Sequence, residues 1–327
     1  QTEFFRGSWP YVDWDSEYLK DVMLDAERVT FGSPALDGAG SSKDFEIFAE
    51  ATSYFKGKTP AERSREALRA VWDSWYDDAV EARACVPPID RYPYLPGVAL
   101  WEKVLEKGLR GVIQEAEAAV QRSAKTDGHD LEKIYFWQAV ILSCEAVISF
   151  AKRHAQLAGE MAARERNPER REELDEMART CAWVPENPAR TFHEAIQSLR
   201  LVNVPLLLEN GRTATDFGRI DQYLYPFFER DIKEGRLTLE KAADLIGELI
   251  TYLARLEQIV ERRTGETLQS TMVNHITIGG VTRDGQDASN DLTYLTLHVL
   301  GLLGYAEPHA TLRLHSGTPH CILLKSH

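Results

Sequence analysis

A polar turn begins near residue 209, directly ahead of an aromatic, helix-forming run. Its side chains supply a carboxylate, an amide, a guanidinium and a hydroxyl, from Glu209, Asn210, Arg212 and Thr213. Such groups can bind a small polar molecule, and a guanidinium can hold a carboxylate through two parallel hydrogen bonds. Arg212 can equally pair with Glu209 or Asp216, as in an ordinary polar turn. We predict substrate contacts for Asn210, Arg212 and Thr213.

Two later segments alternate apolar and polar residues, as half-buried strands do. In MVNHITIGGV, His275 and Thr277 alternate with isoleucines, and in ATLRLH, Arg313 and His315 alternate with leucines. A histidine on such a polar face can donate to a substrate, although it more often bonds to neighbouring backbone. We predict His275 and His315 as further substrate contacts.

Metal, nucleotide and nucleophile chemistry have no matching pattern in the sequence. The aspartates near residue 287 lack the spacing of a calcium loop, so turns and helix caps account for Asp284, Asp287 and Asp291. No nucleotide-binding glycine loop, serine nucleophile elbow or zinc-binding His-Glu-x-x-His run is present. The cysteines lack metal-ligand or redox spacing. We expect reduced, buried thiols at Cys85, Cys144, Cys181 and Cys321.

Composition favours a soluble globular protein. The chain has 327 residues, of which 43% are hydrophobic, so a large core is possible. The formal net charge of -13 would repel phosphate backbones, which argues against nucleic-acid binding. No run approaches the roughly 18 apolar residues needed to cross a membrane, and the N-terminus lacks the zones of a signal peptide. We expect a cytoplasmic protein.

Helices must position the polar turn. From Leu131 to Glu165, apolar or small residues recur in steps of three and four, which predicts one long helix with a single buried stripe. Thr191 and Glu194 predict a capping box that opens a helix leading to Glu209. A further amphipathic helix is predicted from Thr238 to Arg263.

The segments before and after these helices differ in character. Residues 1–99 read as helices and Pro/Gly loops, with a capping box at Thr59 and four prolines between Cys85 and Gly97. In the last third, a helix from about Asp291 to Leu303, closed by Gly304, separates the two strands. Strand, helix and strand predict a parallel crossover unit. Its polar face would point into a barrel lumen or a cleft.

Several segments together resemble the glycyl radical enzymes, the pyruvate formate-lyase superfamily. They are WEKVLEKGLRGVIQEAE, the long helix, VPENPARTFHEAIQSL, GRIDQYLYPFFERDIKEGRLT, NHITIGGVTRDGQDASNDLTYL and LRLHSGTP. Their order and spacing make a chance match improbable. The resemblance covers most of the chain from about residue 100 onward. It departs at Asn210, Gly211, Arg212 and Thr213, where the family commonly has a Ser-Asn-Gly-His type of run.

The resemblance implies an α/β fold, a ten-stranded barrel built from two five-stranded half-barrels and surrounded by helices. This chain would supply residues 1–99 as a helical and loop part, residues 100–265 as a helical layer and residues 266–327 as the first barrel strands, all within one domain. Arg219 and Asp221 match the family's Gly-Arg-x-Asp-Gln pattern, and we interpret them as an ion pair or helix cap. A homodimer is also implied.

The resemblance further implies radical chemistry on a small-molecule substrate. The family's thiyl cysteine and radical-bearing glycine have no counterpart here, and Cys321 comes too early for the thiyl role. We therefore expect an internal part of a larger protein, with no catalytic residue of its own, inactive alone and unable to fold alone as a compact monomer. A radical S-adenosylmethionine iron-sulfur activating enzyme would install the glycyl radical.

The reaction class is less constrained than the family. We favour a carbon–carbon lyase, such as a decarboxylase of a carboxylate substrate, because Arg212 can bind a carboxylate. A radical dehydratase and a ligase that adds a substrate to fumarate remain alternatives. So does a helical scaffold or binding module without catalysis, which a polar strand face turned to solvent would favour.

Overall fold

The computed structural model describes residue 54 and residues 98–124, 131–210, 216–254, 274–305 and 307–325. The helix predicted after Thr59 and the proline-rich loop from Cys85 lie outside this part. The described elements in chain order are α1 Trp101–Ala124, α2 Leu131–Arg164, α3 Pro168–Trp183, α4 Phe192–Asn210, β1 Gly218–Arg219, α5 Ile220–Tyr223, α6 Tyr225–Lys233, α7 Leu239–Ala254, β2 His275–Gly279, α8 Asp291–Leu303, β3 His309–Arg313 and α9 His320–Lys325.

Helix α2 confirms the predicted long helix and its stripe. Ile148, Ala151 and Ala158 are buried. The other residues of the predicted stripe are at least half-buried, namely Ile134, Trp137, Ile141, Cys144 and Ala155. Two neighbouring helices, α1 and α3, pack along this stripe. The opposite face leaves apolar side chains such as Tyr135 and Leu142 exposed. By length and apolar composition alone α2 could cross a membrane, but here it forms the middle of a helical layer.

Helix α1 is interrupted at Gly108, whose φ of 64° and ψ of 169° are not helical. The interruption lets the Leu109 amide donate to the Pro185 carbonyl at 2.8 Å and the Arg110 amide donate to the Glu186 carbonyl at 2.9 Å. The connection between α3 and α4 therefore crosses α1 in backbone-to-backbone contact. A side chain on Gly108 has no room, because a Cβ there would lie 2.4 Å from the Glu186 carbonyl oxygen.

Helix α4 is buried along most of its described length and begins at a modified cap. The Glu194 amide donates to Thr191 Oγ1 at 3.1 Å, which confirms half of the predicted capping box. The other half, in which the Glu194 carboxylate would accept from the Thr191 amide, is wrong. That carboxylate accepts from the Arg190 amide at 2.7 Å and from the Arg190 guanidinium. Arg190 attracts the carboxylate because it offers a cation as well as an amide.

Polar side chains continue along the buried surface of α4. The Arg200 guanidinium stacks on the Tyr252 ring of α7, 3.8 Å from its centroid. The Tyr252 hydroxyl donates to Asn203 Oδ1 at 2.8 Å. This chain of contacts joins α4 to α7, and all three residues are buried. The predicted continuation of α7 to Arg263 falls in residues 255–273, outside the described part.

The described strands form one parallel sheet in the order β1-β2-β3. Ile276 pairs with Gly218 on one side and with Ala310 on the other. The predicted strand, helix and strand are confirmed as β2, α8 and β3, with Gly304 closing α8 at a φ of 59°. Strand β1 was missed: it lies in the stretch predicted to be a helical layer, and two residues are too few to show periodicity.

An aromatic stack joins the start of α1 to β1. The rings of Trp101 and Phe217 lie 5.0 Å apart and are nearly parallel, at 12°. Trp101 also donates its indole N–H to the Asp216 carbonyl at 3.2 Å, and Val98 forms a backbone bridge with Asp216. These contacts attach the helical layer to the edge of the sheet.

The cysteines differ in burial. Cys181 is buried as predicted, and burial raises the pKa of its thiol to about 12. Cys144 is half-buried, and burial raises its pKa as well. Cys321 is exposed, so the prediction was wrong there. It lies in the short helix α9, where its Sγ is 3.1 Å from the Tyr294 hydroxyl. Cys85 lies outside the described residues.

These differences predict selective alkylation. Because thiolate is the reactive species, Cys181 should react with iodoacetamide at pH 8 at least about 100-fold more slowly in the folded protein than in denaturant. Cys321 should react within the folded protein. Peptide mass spectrometry after timed quenching measures both rates. Rapid labelling of folded Cys181 would contradict the buried position.

Candidate functional site

The open face of β2 and β3 carries polar side chains. His275 and Thr277 alternate with the buried Ile276 and Ile278, as predicted for β2. The His275 Nε2 lies 2.6 Å from Thr311 Oγ1, so these two side chains share a face of the sheet. Hydroxyl and imidazole groups on one accessible face can hydrogen-bond a small polar ligand.

Strand β3 is shorter than predicted. It ends at Arg313, and Leu314 is 60% exposed. The prediction that His315 lies on a strand face is therefore wrong. His315 begins a turn in which the Thr318 amide donates to the His315 carbonyl at 3.0 Å. The His315 amide in turn donates to Thr318 Oγ1 at 2.9 Å, which competes with continuation of the strand.

Both ring nitrogens of His315 have partners. Nε2 lies 2.9 Å from Asp287 Oδ1, and the Gly317 amide donates to Nδ1 at 3.1 Å. Because Nδ1 accepts, the ring proton must reside on Nε2 and be donated to Asp287. Burial tends to raise the pKa of Asp287, but hydrogen bonds from His315 and Ser289 outweigh it and lower that pKa. The pair joins the loop after β2 to the turn after β3.

Arg219 and Asp221 do not form the predicted ion pair or helix cap. The Arg219 guanidinium donates to the carbonyls of Gly279 at 2.6 Å and Val281 at 3.0 Å, and it makes no side-chain cap to α5. The buried Asp221 accepts from the Gly279 amide at 2.7 Å and from Thr293 Oγ1 at 2.6 Å. Both side chains instead bind backbone groups at and just after the end of β2.

Asp221 thereby holds both ends of the connection between β2 and α8. Gly279 is the last residue of β2, and Thr293 belongs to the capping box that Asn290 opens at the start of α8. The Asn290 side chain also donates to the Asp221 carbonyl at 2.8 Å. Burial raises the pKa of the Asp221 carboxyl, while hydrogen bonds from Gly279 and Thr293 act against that rise.

Two glycines shape the end of β2. Gly279 and Gly280 have φ values of 69° and 89°, a region that favours glycine. A Cβ on Gly280 would lie 3.1 Å from the Arg313 Cβ and 3.4 Å from its Nε. The Arg313 side chain therefore packs over a glycine that leaves it just enough room.

The structure does not gather the predicted substrate contacts in one place. His275 opens β2 in register with His309, whereas His315 lies beyond the other end of β3. Arg212 and Thr213 fall outside the described residues, and so does the side chain of Asn210, although Asn210 ends α4. Arg313 was not among the predicted substrate contacts, although its alternation with leucines marks it as a polar strand residue.

The aspartates near residue 287 serve turns and local hydrogen bonds. Asp287 binds His315 and Ser289, while Asn290 rather than Asp291 caps α8. Among the described residues, His, Cys, Asp and Glu side chains do not cluster in threes as a metal site requires. The ends of three parallel strands, with polar side chains beside them, are instead suited to a small organic ligand.

A family comparison identifies the architecture. The model of the pyruvate formate lyase-like family matches residues 19–326. The chain belongs to this family. Among curated relatives, the isethionate sulfite-lyase of Nitratidesulfovibrio vulgaris is 38% identical over 318 residues, which is 94% of this chain and 38% of the relative. The chain thus spans about two-fifths of the length of such relatives.

Solved members of the family share the fold. A Roseburia inulinivorans protein that dehydrates 1,2-propanediol superposes with a TM-score of 0.79 at 29% identity, over 96% of this chain and 39% of that one. A glycyl radical enzyme from Archaeoglobus fulgidus gives 0.72 at 31% identity, over 87% and 36%. The predicted membership of the glycyl radical superfamily is therefore confirmed, and the described helices and parallel strands are part of its barrel fold.

Proposed function

We propose that the protein containing this chain is a glycyl radical lyase that eliminates sulfite from a small hydroxylated sulfonate such as isethionate. One observation carries the proposal: the 38% identity to an isethionate sulfite-lyase extends over 94% of the chain. Three more proteins of that name are 33 to 37% identical over similar lengths. Identity spread over nearly the whole chain favours a shared reaction more than a short matching motif does.

The charge on the open sheet face supports an anionic substrate. Arg313 supplies a positive charge to strand β3, and neither β2 nor β3 contains a carboxylate, although Glu307 just before β3 lies 3.5 Å from His309 Nε2. The chain as a whole carries a net charge of -13, so a cationic patch is not a general property of its surface. A sulfonate or a carboxylate would be attracted to such a patch.

The predicted contacts remain part of the proposal. Asn210 would approach the substrate from the end of α4, Arg212 and Thr213 from the residues that follow it, and His275 from β2. His315 would contact the substrate through its ring carbons, since both of its ring nitrogens already have hydrogen-bond partners. The protein's physical task would be to orient the substrate and to exclude water and oxygen from the reacting carbon.

Family membership supports the activation and small-molecule parts of the proposal. A glycyl radical supplies hydrogen-atom abstraction when present, and a radical S-adenosylmethionine iron-sulfur enzyme would install it. We propose a cytoplasmic homodimer that acts on a small molecule and has no nucleic-acid or membrane partner.

A radical dehydratase is the second candidate. The Klebsiella oxytoca (2S)-3-sulfopropanediol dehydratase is 30% identical over 228 residues, and the superposed Roseburia protein is a diol dehydratase. The decarboxylase reaction that the sequence favoured receives less support, since the indoleacetate decarboxylase of Tractidigestivibacter scatoligenes is 28% identical over 221 residues. We therefore place elimination from carbon–sulfur or carbon–oxygen bonds ahead of decarboxylation.

The whole protein, activated without oxygen, should release sulfite from isethionate. The elimination is redox-neutral, so sulfite and acetaldehyde should appear in equal amounts. Parallel reactions contain 1,2-propanediol or indoleacetate, with aldehyde and carbon dioxide as products to measure. A reaction without the activating enzyme is the control, and the glycyl radical is counted by electron paramagnetic resonance. Aldehyde from the diol without sulfite from isethionate would favour the dehydratase instead.

A further inference from the structure

We propose that Arg313 binds the anionic group of the substrate and that Gly280 fixes the position of its side chain. The inference rests on the proposed function in one respect, the sulfonate as the anion. It concerns a residue outside the polar turn and assigns a ligand class to the end of β3. Four features of the structure support it.

The Arg313 guanidinium is accessible. Arg313 is exposed, and its guanidinium makes no hydrogen bond or ion pair within the described part of the chain. Some arginines of the described chain are paired, as Arg190 is with Glu194 and Arg236 with Asp231, whereas Arg313 and Arg283 have no such partner there. A guanidinium without a carboxylate partner keeps its donors available for a ligand.

The backbone beside Arg313 is shaped to fit it. Gly279 pairs with Arg313 in the β2–β3 register, and Gly280 follows at a φ of 89°. A Cβ on Gly280 would meet the Arg313 Cβ at 3.1 Å and its Cδ at 3.4 Å. A side chain there would force the Arg313 stem to shift by a few tenths of an ångström, so the glycine allows the stem to lie directly against the backbone.

Two charged side chains hydrogen-bond the backbone around this glycine pair. The Gly279 amide is bound by Asp221, and the Gly279 carbonyl by Arg219. The same Arg219 guanidinium binds the Val281 carbonyl. Backbone groups on both sides of Gly280 are thus fixed by charged side chains, which restricts where the Arg313 stem can rest.

The neighbouring side chains suit an oxyanion. Thr311 lies two residues before Arg313, on the same face of β3, and its hydroxyl contacts His275. A guanidinium can present two parallel N–H groups to a sulfonate or a carboxylate, and a hydroxyl or an imidazole can bind a further oxygen. The chemistry selects small anions that also carry a hydroxyl group.

The test measures binding in the whole protein before activation, so that turnover does not interfere. Isothermal titration with isethionate compares wild type with Arg313→Gln and with Arg283→Gln. Arg283 is a matched control because it is also exposed but lies in the loop between β2 and α8, away from strand β3. We expect Arg313→Gln to raise the Kd about tenfold or more, and Arg283→Gln to change it by less than about twofold.

Two further variants separate binding geometry from charge. Arg313→Lys keeps the charge but loses the planar fork, so it should recover only part of the affinity. Gly280→Ala keeps Arg313 but pushes its stem aside, and it should weaken binding in the same direction. If Arg313→Gln fails to fold, Arg313→Lys decides the question, because its Kd should still rise about threefold or more.

The outcomes distinguish this inference from the proposed function. Unchanged affinity in Arg313→Gln, or an equal loss in Arg283→Gln, would overturn the role of Arg313. Wild type that ignores isethionate but binds a hydroxycarboxylate, with the same dependence on Arg313, would overturn the sulfonate substrate and support the anion site. Binding of neutral diols alone would overturn both.

Discussion

Replacing Asp221 by leucine should lower the free energy of unfolding by about 2 to 5 kcal/mol. The buried carboxylate accepts from the Gly279 amide and the Thr293 hydroxyl, at 2.7 and 2.6 Å. Leucine has a similar volume but no acceptor, so two buried donors would be poorly paired: the Gly279 amide would lose this acceptor, and the Thr293 hydroxyl would keep only Asn290 Oδ1, at 3.4 Å. Each such group costs about 1 to 3 kcal/mol.

The matched variant is Asp221→Asn. Both donors bind the same oxygen, Oδ2, so an amide oxygen in that place can accept from both. Charge assistance is lost, and the amide N–H groups replace Oδ1, which is buried without a hydrogen-bond partner among the described residues, so we expect a cost of about 1 to 3 kcal/mol, smaller than that of leucine. Urea unfolding of the whole protein measures the totals, and hydrogen exchange of residues 275–293 shows whether the change is local. Equal stability of the two variants would contradict the role of the acceptor.

Replacing Gly108 by alanine should cost about 2 to 4 kcal/mol. Its φ of 64° and ψ of 169° belong to a region that glycine alone occupies readily. The new Cβ would also lie 2.4 Å from the Glu186 carbonyl oxygen, a backbone atom that cannot rotate away. The helix and the crossing segment would have to separate, which breaks the hydrogen bonds from Leu109 and Arg110.

Gly235→Ala is the control. Gly235 also has a positive φ, 70°, but an added Cβ would meet no atom within 4 Å. Only the backbone term applies, about 1 kcal/mol. The difference between the two alanine variants in thermal or urea unfolding measures what the extended ψ of Gly108 and the clash with Glu186 add together. A similar small loss at both sites would show that the α1 crossing can relax.

The sequence predicted the elements whose periodicity is long enough to read. The stripe of α2 extends over 34 residues, and β2 alternates its burial as expected. The interruption at Gly108 was invisible, since an isolated glycine is tolerated within a helical pattern and its surroundings come from a distant segment. The family resemblance gave the architecture beyond what periodicity alone could supply.

The site was less predictable than the fold because its contacts are remote in sequence. Asp221 meets Gly279 and Thr293, and Arg219 meets Gly279, across about sixty or seventy residues. A sequence pattern shows that an aspartate follows an arginine, but not which backbone groups each will bind. Arg313 was likewise visible as a polar strand residue, while the glycine beside it became significant only once β2 and β3 were placed in register.

The stack of Trp101 on Phe217 has a consequence for how the chain folds. The indole of Trp101 and the Asp216 carbonyl are 115 residues apart in sequence. Closing a flexible loop of that length costs about 4 kcal/mol of entropy from its length alone. The helices α1, α2 and α3 follow one another and need no such closure, and once packed they replace most of that flexible loop by a rigid one. Local helical pairing therefore prepares the distant contact, and the parallel sheet is kinetically the costlier half of the fold.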